Sequence, residues 1–177
     1  MRNIFAIVER EFRAYFASPV AYVVLTGFLF LSGIVFQGLL GSVMEYQLRA
    51  AMQAQSGRGS AAVDAPAVVT QQFLGTVSVL LLFIVPMITM GLFSEEKRRG
   101  TIELLLTAPL TDLQVVLGKF FAGASFMLLL LLSTWIPMSA LYLYSTPATG
   151  PILANYLGGA LYGLALVSIG LFVSTLT

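Results

Sequence analysis

The chain has 177 residues, of which 58% are hydrophobic and only 10% charged, with nine basic and eight acidic side chains giving a net charge of +1. A mean hydropathy of +0.93 lies far outside the range of an ordinary soluble domain, and the charges sit in loops rather than on one basic face that would suit nucleic acid. With neither cysteine nor histidine, the chain cannot form a disulfide, a Cys/His metal or haem site, or a Ser–His or Cys–His nucleophile.

The first 17 residues read as an amphipathic helix. At 100° per residue, Ile4, Phe5, Val8, Phe12, Tyr15 and Phe16 fall within an arc of about 120°. Arg2, Asn3, Glu9, Arg10 and Arg13 take the other side, and Ile7 falls outside both groups. A helix of this kind lies flat in the membrane interface. Ser18 is a candidate cap and Pro19 suits a first helical position, so an elbow, a turn and then a span are expected. Nothing here reads as a cleavable leader, because the first apolar run is a full span.

A spanning helix needs about 20 apolar residues, and runs at 20–41, 73–93, 120–144 and 152–176 meet that length. The expected class is all-α, a polytopic helical membrane protein with an interfacial elbow and four spans. Glycines 27, 33, 38 and 41 in the first run allow close helix approach. Residues 42–72 read as an external connector, helical over 43–55 and then flexible through Ser56-Gly57-Arg58-Gly59-Ser60. Pro86 and Pro137 interrupt the second and third runs, as hinge or as packing geometry. Gly159 and Gly163 form a G-x-x-x-G, which serves a dimer or packing within the chain equally well.

Residues 94–119 form the one long charged connection. Glu95 to Lys119 carries eight of the chain's seventeen charges, and each would cost roughly 2.5–3.5 kcal/mol at a bilayer centre. The segment is therefore expected in water, between two spans. Thr101 is a plausible N-cap with Glu103 in the first turn, and Ile102, Leu105 and Leu106 share one apolar face. Pro109 ends that short helix. Thr111-Asp112-Leu113-Gln114 then reads as a capping box, with Leu110 and Val115 as its staple. So short a helix is unstable in water without a partner, and its leucines either dip into the membrane surface or dock on a cytosolic protein.

Placing the amino end and residues 94–119 on the cytoplasmic side puts seven basic residues inside and two outside. No ionisable side chain falls within the four runs, which disfavours an ion-coupled carrier, and Gly118-Lys119 is followed by Phe120 rather than by the Ser or Thr of a phosphate-binding loop. Energy for any work must come from another polypeptide.

The run from Glu95 through Glu96, Lys97, Arg98, Arg99, Gly100, Thr101, Ile102, Glu103, Leu104, Leu105, Leu106, Thr107, Ala108 and Pro109 to Leu110 resembles the signature loop of ABC-2 type transporter permeases. The gliding-motility-associated group is the nearest branch, with Asp112, Gly118, Lys119 and Phe120 fitting its continuation and residues 18–22 its opening elbow. The resemblance covers essentially the whole chain. It implies a six-span fold paired with a second permease subunit, as homo- or heterodimer, in a bacterial plasma membrane, with cytosolic ABC ATPase subunits as partners. It also implies that this chain binds no cofactor and that ATP and magnesium belong to the ATPase. The coupling helix becomes residues 101–107, with Ile102, Leu104, Leu105 and Leu106 as contacts. Glu95, Glu96, Arg98, Gly100, Thr101, Glu103 and Pro109 shape the loop around it. Since the resemblance implies six spans and four are present, the chain is expected to be a fragment ending after the fourth. The implied function is the permease subunit of an ATP-driven exporter, without an ATPase site of its own. The alternative is a non-transport scaffold that recruits a soluble partner through the same loop. Nothing in the sequence identifies the substrate.

Overall fold

In the computed structural model, residues 2–55, 65–91, 111–144, 147 and 149–176 are described, and they are almost entirely helical. The first helix, α1 (Arg2–Ala17), ends where the Ser18 N–H donates to the Tyr15 carbonyl, 3.3 Å. Ser18 then caps its successor, its Oγ accepting from the Val20 N–H at 3.3 Å. Pro19 stands at the first helical position of α2 (Pro19–Gln55), where its missing N–H costs nothing. The expected elbow is thus made by the residues expected to make it.

At 1.5 Å per residue α2 is about 55 Å long, because the apolar run continues without a break into the helical stretch after Gly41. The third helix, α3 (Ala65–Thr89), begins eight residues before Phe73, and passes through Pro86. Next come α4 (Asp112–Ser133), the short α5 (Trp135–Tyr144) and α6 (Thr149–Leu176). Four segments are long and apolar enough to cross a membrane, with α4 and α5 together forming the third. The protein is a multi-pass membrane protein.

The third span is broken at Thr134, and Pro137 explains the break. Its ring lacks an N–H and crowds the carbonyl four residues earlier, on Ser133. The chain tightens there, with the Thr134 N–H reaching the Leu131 carbonyl at 3.2 Å. Thr134 Oγ1 also lies 2.9 Å from the Tyr156 hydroxyl of α6, and Trp135 stacks on the same tyrosine ring with centroids 5.4 Å apart.

The core lies between α3, α4 and α6. Phe28, Phe73, Leu81, Met127, Leu130, Met138 and Val167 are almost wholly enclosed. More than half of the most apolar window of the third span is buried, 56%, against 17% for α2, so α2 is the outer helix of the bundle. In lipid no hydrophobic force drives helices together, and close packing must do that work. Glycines of α6 supply it. A Cβ on Gly163 would collide with Met127 of α4, and one on Gly170 would collide with Thr89 Oγ1 and meet the Pro86 Cα at 3.3 Å. Gly159 and Gly163 therefore serve packing within the chain, and Pro86 sits at a helix contact. Among the described residues, nothing lies within 4 Å of where the Cβ atoms of Gly27, Gly33, Gly38 and Gly41 would be.

Hydroxyls inside the spans mostly turn back on their own helices. Ser32, Ser78, Thr89, Ser125 and Ser133 donate to carbonyls three or four residues earlier. Among the described residues, the bonds between spans are Thr134 to Tyr156 and the Ser174 Oγ to the Met90 carbonyl, 2.7 Å.

Candidate coupling site

The loop read as the coupling segment lies outside the described residues. That holds for Glu95, Glu96, Arg98, Gly100, Thr101, Ile102, Glu103, Leu104, Leu105, Leu106 and Pro109, and for Leu110 of the expected staple. The structure describes the two helix ends from which that loop is strung.

On the incoming side, α3 is pinned to α6 over its last turn. Thr89 is buried against Gly170, and the Met90 carbonyl accepts from Ser174. The carbonyls of a helix C-terminus lack partners within the helix, and here a side chain of the fourth span supplies one.

On the outgoing side, Thr111 has the extended backbone of an N-cap, with φ −82° and ψ 146°, but makes no side-chain cap bond. Its carbonyl instead accepts the N–H groups of Gln114, 2.8 Å, and Val115, 3.2 Å. The capping box is not formed, because the Gln114 carboxamide oxygen that should accept the Thr111 N–H is buried and has no partner.

Two turns on, α4 is clamped to α1. A Cβ on Gly118 would stand 2.6 Å from the Ile7 side chain, so only glycine lets the elbow helix approach this closely. The neighbouring Lys119 is almost completely enclosed, and its Nζ lies 3.6 Å from Glu11 Oε1. The same oxygen accepts from Arg10 at 2.9 Å. Further along, the Tyr15 and Phe16 rings pack on Phe126 of α4 with centroids 5.4 and 6.2 Å away.

This corrects two expectations. Lys119 belongs to a buried ion pair at the start of the third span, not to a solvated loop, because α4 is already helical from Asp112. Ile7 is not a stray apolar residue, because it faces α4. Glu11 was missed as a site residue. The signal was the four-residue spacing of Ile7 and Glu11, which sets both on one edge of α1 beside the larger apolar arc. A buried charge is tolerable only when paired, and the Glu11 carboxylate meets that condition for Lys119.

Beside the clamp lies a groove of about 800 Å³ between the end of α1, the first turns of α2 and the last turns of α3. Its walls include Val24, Phe28, Ile84 and Ile88, with Phe126 behind and Glu11 and Ser18 at the rim. Among the described residues no cluster of acidic side chains could hold a metal ion.

Residues 5–177 match the family described as ABC-2 family transporter protein, and the chain belongs to that family. It is also similar to two Escherichia coli proteins. One is named probable multidrug ABC transporter permease YbhR, 31% identical over 83 residues, covering 47% of this chain and 22% of the relative. The other is named probable multidrug ABC transporter permease YbhS, 29% identical over 118 residues, covering 63% of this chain and 30% of the relative. The chain therefore spans less than a third of the length of each. No solved structure matches it.

Proposed function

We propose that this chain is membrane-spanning permease sequence of an ATP-driven exporter and that a separate cytosolic ABC ATPase docks on residues 94–110. The observation that carries the reading is the framing of that loop, with α3 tied to α6 before it and α4 clamped to α1 after it, in a chain of the ABC-2 family. A loop suspended from two braced ends transmits force, whereas one suspended from frayed ends absorbs it. Closure of an ATPase pair around ATP and magnesium would displace the helix at 101–107. Because Lys119 and Gly118 join α4 to α1, the displacement would reach both helices together and drive a two-state rearrangement of the spans. A second permease subunit completes the transporter. The relatives' names support a substrate range of varied organic molecules.

Within the family, Asp112 and the Gly118-Lys119-Phe120 run favour the gliding-motility-associated branch. The amino end and the loop are placed in the cytoplasm of a bacterium and the spans in its plasma membrane. With Lys119 buried, six other basic residues lie on that side and two on the opposite one.

The test is co-purification in detergent with the ATPase encoded beside the gene, using wild type and Leu105→Arg. Wild type should retain the ATPase and Leu105→Arg should lose it at least tenfold while inserting normally. Equal capture by both overturns the placement of the coupling helix. Capture without any transport-linked ATP hydrolysis would favour the scaffold reading.

A further inference from the structure

From the break in the third span we infer that α5 is a hinged segment at the membrane face opposite the charged loop, pivoting on Thr134 and held in place by Tyr156 of α6. The hinge stands on its own geometry, and its use as a gate for departing substrate rests on the exporter reading above.

Thr134 belongs to both sides of the break. Its N–H donates back to the Leu131 carbonyl of α4 at 3.2 Å, and its carbonyl accepts the Met138 N–H of α5, also at 3.2 Å. Pro137 has no N–H to offer the Ser133 carbonyl, and in lipid no water takes its place. Side chains add bonds at the joint, with Ser133 Oγ donating to the Leu130 carbonyl and Thr134 Oγ1 to that of Leu131, each at 2.6 Å. A hydroxyl can follow its acceptor or change it as a helix bends, which a backbone ladder cannot do. On the near side of the joint α4 is firmly seated, with Ala122, Met127 and Leu130 fully enclosed. On the far side α5 has only ten residues, and it rests on the buried side chains of Met138 and Leu141.

One side chain bridges the joint. Because Thr134 Oγ1 gives its proton to Leu131, it accepts from the Tyr156 hydroxyl at 2.9 Å. The Tyr156 ring stacks on Trp135, the first residue of α5. Tyr156 therefore holds the pivot with its hydroxyl and the moving segment with its ring. Thr134 lies fifteen residues beyond Lys119, about 22 Å along the helix. If Lys119 marks the inner edge of a ~30 Å hydrocarbon core, the pivot is in the outer third and Leu141 stands at the outer water edge. The other end of α4 is the one clamped to α1 and entered from residues 94–110. A displacement applied there travels along a stiff helix of 22 residues to the pivot, where a swing of α5 takes it up, as hinges at element ends do.

The chain has no cysteine, so single cysteines can be introduced without background. Leu141→Cys reports on α5, and Val69→Cys, buried near the start of α3, reports on the rest of the same membrane face. Each is labelled in the full-length protein in native membranes with a membrane-impermeant maleimide. Tyr156→Phe and Thr134→Val should each raise the labelling rate at position 141 at least fivefold and leave position 69 unchanged. Pro137→Ala, which restores the missing N–H, should return the Tyr156→Phe rate to that of wild type. Equal rates at position 141 in all these backgrounds overturn the proposal and make the break a rigid kink. A rise at position 69 in step with position 141 overturns it as well, as general loosening of that face. ATP added to the complex with the ATPase should also raise the wild-type rate at position 141. ATP-driven transport with position 141 unresponsive to every change overturns the hinge and leaves the exporter reading standing. A response to Tyr156→Phe but none to ATP overturns the gate and keeps the hinge.

Discussion

Lys119 is the residue whose setting says most about its neighbours. An ammonium group this deeply enclosed depends on the carboxylate it meets, and removing one partner of such a pair typically costs about 3–5 kcal/mol because the other charge is left buried. Glu11→Gln is therefore expected to destabilise the detergent-solubilised protein by that order, read as a lower thermal unfolding midpoint. Replacing both, as Glu11→Leu with Lys119→Met, should recover most of the loss, since an apolar pair of similar volume avoids the desolvation cost. If the double variant is as unstable as the sum of the singles, the pair does not couple α1 to α4.

Between helices, the glycines of α6 divide into those that touch a neighbour and those that have room. A Cβ at Gly170 would press on the Thr89 side chain, which is tied to its own helix through the Val85 carbonyl, and on the backbone of α3 at Pro86, whereas at Gly159 it would rest 3.5 Å from Leu131. Gly170→Ala should cost about 1–3 kcal/mol by overpacking, and Gly159→Ala less than half that, as measured by thermal unfolding. A reversed order would mean that α6 does not seat on α3 as described. Sequence alone could not separate these two glycines, since spacing says which residues are small and not which neighbour stands in front of them. The elbow was readable, because Ser18 and Pro19 act locally through a cap and a fixed backbone angle. The break at Thr134 was signalled by Pro137 but not located, since a proline disturbs the carbonyl four residues back.

For the molecule as a whole, the membrane class and the four spans could be read from composition and run length, because the bilayer imposes a length on any helix that crosses it. Span ends were less readable, as α2 and α4 show. Helices continue as far as their backbone allows, while hydropathy marks only the part that dissolves in lipid. The Lys119 pair was hidden for a different reason, since Glu11 and its partner are 108 positions apart and no periodicity connects them. The proposed sidedness rests on the basic residues and is testable in intact cells. Ser60→Cys should react with a membrane-impermeant maleimide from outside, and Ser94→Cys only after permeabilisation; the opposite pattern would invert the topology.

That separation also sets a schedule for assembly. During synthesis at about 5–20 residues per second, Glu11 emerges roughly 5–20 s before Lys119. Until then the elbow helix has no third span to close on, and its ring-bearing face must be shielded by lipid headgroups or by the insertion machinery. The elbow helix is thus made well before the helix that secures it, and a chain halted before α4 would leave it adrift on the membrane surface.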